Sequence, residues 1–300
     1  MSTSTSVAKT PFYAQLSLAK TYYALTKPGI IYGNLLTATA GFLLASAHGV
    51  QFGLLLATLA GTALVIAAGC VTNNFTDREL DKKMKRTSER ALVLKTISAT
   101  SALIYAGVLG IAGLTILALL TNWLVVLIGL IGFIDYVVFY ALAKRTSEHG
   151  TLVGSISGAT PILAGYVAAS GRLDVGAWLV FLILAAWQMP HFYSIAMYRR
   201  DEYKAAGVPV LSVVKGMQVA KNQTLLYIVV FTVAASLLTV YGYTGYLYLT
   251  VVLALGVYWL AKGLKTYSTN PAKWGRQMFL FSLVVLLVTC VMLSVGSRLP

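Results

Sequence analysis

The sequence predicts an all-α polytopic membrane protein. Its 300 residues are 58% hydrophobic and only 11% charged, and the mean hydropathy is +0.78, whereas soluble domains carry roughly 25% charged residues. An apolar share this high must cover a lipid-facing surface as well as an interior. A water-soluble domain is therefore excluded, and we expect a single membrane domain over residues 1–300.

Nine apolar segments are each long enough to cross the hydrocarbon core, which takes about 20 helical residues. The first follows a polar N-terminal segment, residues 1–27, and ends at His48-Gly49. Trp123 and Trp178 fall at the outer ends of the fourth and sixth segments, as interfacial tryptophans do. In order, the segments centre near Leu36, Leu64, Leu109, Leu130, Gly158, Leu184, Val230, Leu253 and Val285.

The fifth segment is the least regular of the nine, because Pro161 and several Gly and Ser residues interrupt its apolar pattern. Small residues allow helices to approach closely, and neighbouring helices can satisfy the backbone groups that a proline frees. We therefore predict a buried, tightly packed helix here. The polar loops expected at one face of the bundle are residues 73–95, 142–150 and 198–221.

The basic residues lie almost entirely on one side of the predicted bundle. There are 23 Lys and Arg against 9 Asp and Glu, which gives a net charge of +14. With nine spans and a cytoplasmic N-terminus, only Arg172 and Arg298 fall on the periplasmic side, together with the C-terminus. The positive-inside rule explains this distribution. Topology therefore accounts for the basic excess, and we expect no nucleic-acid partner.

Acidic residues cluster on the same cytoplasmic side, which membrane orientation does not require. After the second segment the chain reads NNFTDRELDKKMKRTSER. In a continuing helix Asn73, Asp77 and Asp81, which we call the acidic stripe, share one face. Such oxygen ligands suit Mg²⁺ bound together with phosphates, although a solvated, salt-bridged helix end would look similar. The cations that could bind a diphosphate beside the stripe are Lys82, Arg86 and Arg90.

Four blocks of the sequence together resemble a known enzyme family. The pattern N-x-x-x-D-x-x-x-D resembles the first aspartate motif of the UbiA superfamily of intramembrane prenyltransferases. The wider string NNFTDRELDKKMKRTSERAL resembles the protoheme IX farnesyltransferase branch of that superfamily. So do LTKPGIIYGNL, YALAKRTSEHGTLVGSISGATPILAGY and WQMPHFYSIAMYRRDEYKAAGVPVL. The four blocks span most of the chain, and their order and separation make the resemblance specific.

The resemblance implies a nine-helix UbiA-type bundle with a polar cytoplasmic cap over a central cavity. Such a protein would bind Mg²⁺ and farnesyl diphosphate and would act on heme b as substrate. The acidic stripe would hold Mg²⁺ on the diphosphate. Tyr140 and Lys144 match the superfamily's Y-x-x-x-K motif and, with Arg145, would contact the diphosphate. The implied catalytic residues are the acidic stripe and Lys144.

The second polar site departs from the superfamily's usual D-x-x-x-D motif. Asp201 is followed four residues later by Ala205, so either Asp201 or Glu202 could be the second acidic ligand, and Asp201 is a further candidate for the metal. His191 could ligate heme iron, move a proton or pack beside its neighbouring proline. The candidates for heme binding or the second polar site are His191, Tyr193, Arg199, Asp201, Glu202 and Tyr203.

Two alternative functions stay open at this point. A UbiA-type prenyltransferase for an aromatic acid such as 4-hydroxybenzoate would use the same metal and diphosphate chemistry. A transporter would also carry polar groups inside the membrane, but here they cluster at one mouth apart from Asp135, for which we expect structural pairing. The resemblance further implies a bacterial inner membrane location and a heme A synthase or terminal oxidase assembly partner.

Overall fold

The computed structural model describes residues 17–47 and 49–298, so the first sixteen residues of the predicted N-terminal segment lie outside it. The described residues form helices joined by short connections and contain no strand. In chain order the helices are α1 (Leu18–Leu25), α2 (Pro28–Ala45), α3 (Phe52–Asp81), α4 (Ala99–Leu120), α5 (Trp123–Ile134), α6 (Tyr140–Thr146), α7 (Gly150–Ser170), α8 (Val175–Tyr198), α9 (Arg200–Ala206), α10 (Leu211–Val214), α11 (Met217–Val240), α12 (Tyr246–Lys265) and α13 (Pro271–Gly296).

Nine spans within the described residues are long and apolar enough to cross a membrane, which confirms the predicted fold class. Eight are single helices: α2, α3, α4, α7, α8, α11, α12 and α13. The ninth, Trp123–Thr146, consists of α5, a π-helical segment and α6. The helices α1, α9 and α10 are too short to span and lie among the polar connections.

The interior of the bundle is built around α7 and α8, the two spans with the largest buried share. Glycines let α7 pack directly against α2. A Cβ atom on Gly165 would stand 1.9 Å from the backbone oxygen of Ala38, and one on Gly41 would stand 2.2 Å from that of Ile162. Residues without a Cβ are therefore required on both helices, as the small-residue pattern of the fifth segment predicts.

The span formed by α5 and α6 changes its helical register at the membrane-embedded Asp135. Residues Asp135–Phe139 form a π-helical turn, a feature frequent at functional sites. The Asp135 carboxylate accepts a hydrogen bond from the backbone N–H of Ser157 in α7, at 3.0 Å. This contact confirms the expected structural pairing of Asp135, and its partner is a backbone group rather than a cation.

Helix α3 continues beyond the hydrocarbon core and carries the acidic stripe into the polar cap. Its 30 residues correspond to about 45 Å, against roughly 30 Å of hydrocarbon. The predicted loop 73–95 thus begins as helix, and the stripe lies on its last turns. Beyond α3, Met84 packs against Ala206 and Val208, which joins this segment to the connection that contains α9 and forms the cap.

Candidate active site

A cavity of about 720 Å³ opens at the end of the bundle where α3, α6 and α8 finish. Its mouth is lined by charged side chains from the cap. Farther in, its wall is apolar and includes Leu117, Val125, Leu184 and Leu286. The combination of a charged mouth and an apolar interior suits an amphiphilic ligand with one ionic end.

Asp77 is the buried anion at the centre of the mouth. The Lys144 ammonium donates a hydrogen bond to Oδ2 of Asp77, and Nη2 of Arg145 donates to Oδ1 at 2.8 Å. Arg145 also donates to the backbone oxygen of Thr76 at 2.6 Å. Both cations come from α6, so the predicted acidic stripe and the Y-x-x-x-K motif meet at one point.

Asp81 forms a second buried ion pair one turn along the stripe. Its Oδ2 accepts a hydrogen bond from Nη1 of Arg90 at 2.7 Å, and the carboxylate is only 6% exposed. Burying such a pair costs desolvation energy that the pair's attraction need not repay. The pair therefore fits a role in binding better than a role in stability, and both residues line the cavity.

The third member of the stripe, Asn73, is held by a lysine that sequence analysis did not assign to the site. Lys27 Nζ donates to Asn73 Oδ1 at 2.8 Å. Lys27 adopts a left-handed backbone conformation with φ of 54° directly before Pro28. Backbone strain of this kind is more frequent at functional sites than elsewhere. Desolvation lowers the pKa of the half-buried Lys27 ammonium to about 8.

Two stacked tyrosines form the wall beside these charges. The rings of Tyr136 and Tyr140 lie parallel with their centroids 5.7 Å apart, and Lys144 Nζ stands 4.9 Å from the centroid of Tyr140. This cation–π contact helps to hold the ammonium at the cavity. Tyr140 and Lys144 both line the cavity, as does Tyr136 in the π-helical turn, which sequence analysis did not assign to the site.

The donor set of the acidic stripe fits Mg²⁺. Its two carboxylates and one amide oxygen are hard ligands, and a carboxylate oxygen can accept from a cation while still having a lone pair for a metal. Asn73 Nδ2 is buried and has no hydrogen-bond partner, so the amide N–H remains available to donate a hydrogen bond to a bound ligand. Within the described residues no group of three or more His, Cys, Asp or Glu side chains could hold a metal ion, so a metal at the two carboxylates would need ligands of other kinds. Mg²⁺ usually keeps several waters and shares its shell with substrate phosphates, which would supply the ligands that this chain does not.

The second polar site lies across the mouth, at the end of α8. Arg199 Nη1 donates to Oε2 of Glu202 at 3.1 Å, and the backbone N–H of Arg86 donates to Oε1 of Glu202 at 3.3 Å. Arg199, Arg86 and Tyr203 line the cavity. Burial raises the pKa of the Tyr203 phenol, so the hydroxyl stays a neutral donor. The hydrogen bond with Tyr198 raises the pKa of Arg199, as does Glu202.

Five predicted residues do not line the cavity: Lys82, Arg145, Tyr193, Asp201 and Glu202. Arg145 still contacts the cavity-lining Asp77. Lys82 lies on the exposed face of the last α3 turn, where it pairs with Glu79 at 2.8 Å. Asp201 is exposed in the first turn of α9, and Glu202 instead faces the cap. Tyr193 is buried away from the cavity against Tyr227 of α11. Helix periodicity explains these differences, since each residue is one or two positions from a neighbour that does face inward.

His191, in α8, lines the cavity wall. Its ring stacks on Trp187 with centroids 4.6 Å apart. Its Nδ1 lies 2.7 Å from Oγ of Ser282 in α13. The imidazole is thus fixed by a stacking partner and by a hydrogen bond, and sequence analysis identified His191 but not the residues that orient it.

Comparison with known proteins decides the family. The UbiA prenyltransferase family profile matches residues 34–287. This chain belongs to the UbiA prenyltransferase family. Among similar UbiA members, the protoheme IX farnesyltransferase of Yersinia enterocolitica is 47% identical over 285 residues, which cover 94% of this chain and 96% of that protein. The protoheme IX farnesyltransferase of Photorhabdus laumondii is 46% identical over 94% of this chain and 97% of that protein.

Solved structures share the fold of this UbiA family member at low sequence identity. A structure of digeranylgeranylglyceryl phosphate synthase superimposes with a TM-score of 0.79 at 18% identity, over 93% of this chain and 98% of that one. A UbiA homologue from Archaeoglobus fulgidus bound to GPP and Mg²⁺ superimposes with a TM-score of 0.70 at 15% identity, over 91% and 99% of the two chains. These likenesses establish the UbiA fold.

Proposed function

We propose that this chain transfers the farnesyl group of farnesyl diphosphate to a vinyl group of heme b, with addition of water, to give heme O and diphosphate. The observation that carries the proposal is the buried carboxylate of Asp77, which Lys144 and Arg145 hold at the mouth of an apolar cavity. The names of relatives that are 46–47% identical over nearly the whole chain support heme as the acceptor.

The two ends of the prenyl substrate match the two parts of the cavity. The diphosphate binds among the cations Lys27, Arg90, Lys144 and Arg145, while the farnesyl chain lies against the apolar wall. The acidic stripe would hold Mg²⁺, which, when bound, neutralises charge on the diphosphate. The GPP and Mg²⁺ bound by the structural relative from A. fulgidus support this arrangement.

The reaction begins with heterolytic cleavage of the allylic C–O bond, and the diphosphate leaves with the electron pair. Lys144 and Arg145 stabilise the negative charge that develops on the leaving group. The terminal carbon of the heme vinyl group then uses its π electrons to form the new C–C bond. Water adds to the resulting cation beside the pyrrole ring and loses a proton. The apolar wall protects the allylic cation from earlier capture by water.

The α8–α9 wall is proposed to bind the heme. His191 faces the porphyrin from α8, and Arg199 and Tyr203 stand at the polar edge, where a heme propionate could accept their hydrogen bonds. Of the two acidic candidates, Glu202 serves this second site, because it orients both Arg199 and the Arg86 backbone.

The membrane arrangement follows from charge. We place this protein in a bacterial inner membrane with its N-terminus and the active-site mouth in the cytoplasm and its C-terminus in the periplasm, as the distribution of basic residues predicts. Heme O is a precursor that a heme A synthase or a terminal oxidase assembly step would then consume.

Mass spectrometry of the products tests the function. Purified protein in detergent receives Mg²⁺, farnesyl diphosphate and an equimolar mixture of heme b and 4-hydroxybenzoate. We expect farnesylated, hydrated heme and no prenylated benzoate. Prenylated benzoate would instead support the aromatic-acid alternative, and protein that binds both substrates without forming either product would contradict prenyl transfer.

A further inference from the structure

Ser282 in α13 makes three hydrogen bonds at the cavity wall, and two of them go to aromatic residues of α8. Its Oγ contacts His191 Nδ1 at 2.7 Å, and its backbone oxygen accepts from Trp187 Nε1 at 2.9 Å. Ser282 is fully buried. One residue of α13 therefore fixes both members of the stacked Trp187–His191 pair.

The third hydrogen bond determines which nitrogen of His191 carries the proton. Ser282 Oγ donates to the backbone oxygen of Phe279 at 2.6 Å. A serine hydroxyl has a single proton to donate, so toward His191 it can only accept. Nδ1 of His191 must then be the protonated nitrogen, and Nε2 carries a free lone pair.

The free lone pair of Nε2 belongs to a residue of the cavity wall. His191 lines the cavity, and within the described part of the chain Nε2 has no hydrogen-bond partner. A histidine that binds a metal characteristically donates its other N–H to an oxygen acceptor, which fixes the tautomer and raises the basicity of the binding nitrogen. His191 and Ser282 have this arrangement.

We propose that Ser282 is a positioning residue that holds His191 in its Nδ1–H tautomer, so that Nε2 is the axial ligand of the iron in the porphyrin substrate. The inference rests on the proposed function for the identity of that substrate. It assigns to the iron a role in docking rather than in the transfer itself, because coordination fixes the plane of the porphyrin and with it the position of the vinyl groups.

Paired porphyrin titrations separate iron binding from simple packing. Protein in detergent is titrated with heme b and, separately, with metal-free protoporphyrin IX, both without farnesyl diphosphate. His191→Ala and Ser282→Ala are expected to weaken heme b binding, by roughly tenfold for the serine variant, and to leave protoporphyrin IX binding unchanged. Ser282→Thr keeps a hydroxyl and should restore heme affinity.

The matched control is Ser194→Ala. Ser194 is a fully buried serine of α8, three residues after His191, and its Oγ has no partner. Its loss should affect neither porphyrin. Equal weakening of heme b and protoporphyrin IX by Ser282→Ala would assign Ser282 a packing role and overturn the proposal, as would unchanged heme affinity.

Resonance Raman spectra of the reduced heme complex give an independent readout. An iron–histidine stretching band is expected in the wild type, absent in His191→Ala and at lower frequency in Ser282→Ala, because the imidazole loses the acceptor that makes Nε2 basic. A band unaffected by His191→Ala would exclude this ligand. If the band behaves as expected but no heme O forms, the farnesyl transfer proposal fails while the ligand assignment stands.

Discussion

Asp77 and Asp81 are buried carboxylates whose cations come from different parts of the chain. Asp77 is paired with Lys144 and Arg145 of α6, and Asp81 with Arg90 of the loop after α3. Each carboxylate therefore couples the end of α3 to another wall of the cavity. Removal of the negative charge leaves the arginine and lysine groups without their anion and removes a metal ligand.

Replacement of either carboxylate should abolish most of the activity. For Asp77→Asn and Asp81→Asn we expect kcat to fall by roughly 100-fold or more, because charge on the departing diphosphate is no longer neutralised. The measurement is the rate of heme O formation at saturating substrates. Addition of a chelator to the wild type should give a comparable loss that Mg²⁺ reverses.

The control for these variants is Glu79→Gln on the same helix. Glu79 is exposed and pairs with Lys82 outside the cavity, so its loss should leave turnover unchanged. Near-normal turnover in both Asp77→Asn and Asp81→Asn would show that the buried ion pairs of the stripe are structural and do not take part in the reaction.

Helix periodicity alone predicts the stripe, because Asn73, Asp77 and Asp81 are spaced four residues apart in one helix and therefore share a face. Lys27 was not assigned to the site, because its bond to Asn73 joins residues 46 positions apart and depends on a left-handed backbone that no periodicity encodes. A lysine directly before the proline of the first span was the available signal. The role of Ser282 could not be predicted either, because the sequence of an apolar span does not show which of its serines contacts a histidine of another helix.

At the scale of the helices, the close contact of α2 with α7 fixes the position of a helix that lines the cavity. The sequence pattern predicts a small-residue helix here, but it does not identify α2 as its partner. Pro161 and Ala164 of α7 line the cavity, while Gly165 turns toward the backbone of Ala38. An added methyl group at that position must push the two helices apart.

Gly165→Ala should therefore destabilise the protein, whereas the same change at Gly107 should not. Overpacking of this kind costs about 1–3 kcal/mol, and thermal unfolding in detergent should show a lower Tm. Gly107 in α4 has open space at its Cβ position, so Gly107→Ala should keep or slightly raise Tm. Equal Tm values for the two variants would contradict the direct α2–α7 backbone contact.

At the scale of the whole molecule, the candidate site and the basic connections lie at the same end of the bundle. The acidic stripe, its cations and the second polar site all meet at one end of the bundle, and that end carries the basic connections. Arg172 and Asp174 form an exposed ion pair in the connection between α7 and α8 at the opposite end. Composition and spacing predict the number of spans because both are averaged over the full chain, whereas the side of the membrane stays a prediction from the positive-inside rule.

Cysteine labelling in intact cells tests the orientation. The native Cys70 and Cys290 are buried and should give little background. Arg172→Cys should react with a membrane-impermeant maleimide from outside, whereas Glu89→Cys in the cap should react only after the membrane is permeabilised. The reverse labelling pattern would place the active-site mouth in the periplasm.

The central claim is that a hydrated farnesyl heme forms at the acidic stripe. Its most direct test is the mass of the product formed in ¹⁸O-labelled water from heme b, farnesyl diphosphate and Mg²⁺, with wild-type protein and Asp77→Asn compared at equal heme occupancy. We predict a product from the wild type that carries one farnesyl group and one labelled oxygen, and almost none from the variant. A product without the labelled oxygen, or equal yields from both proteins, would contradict the account.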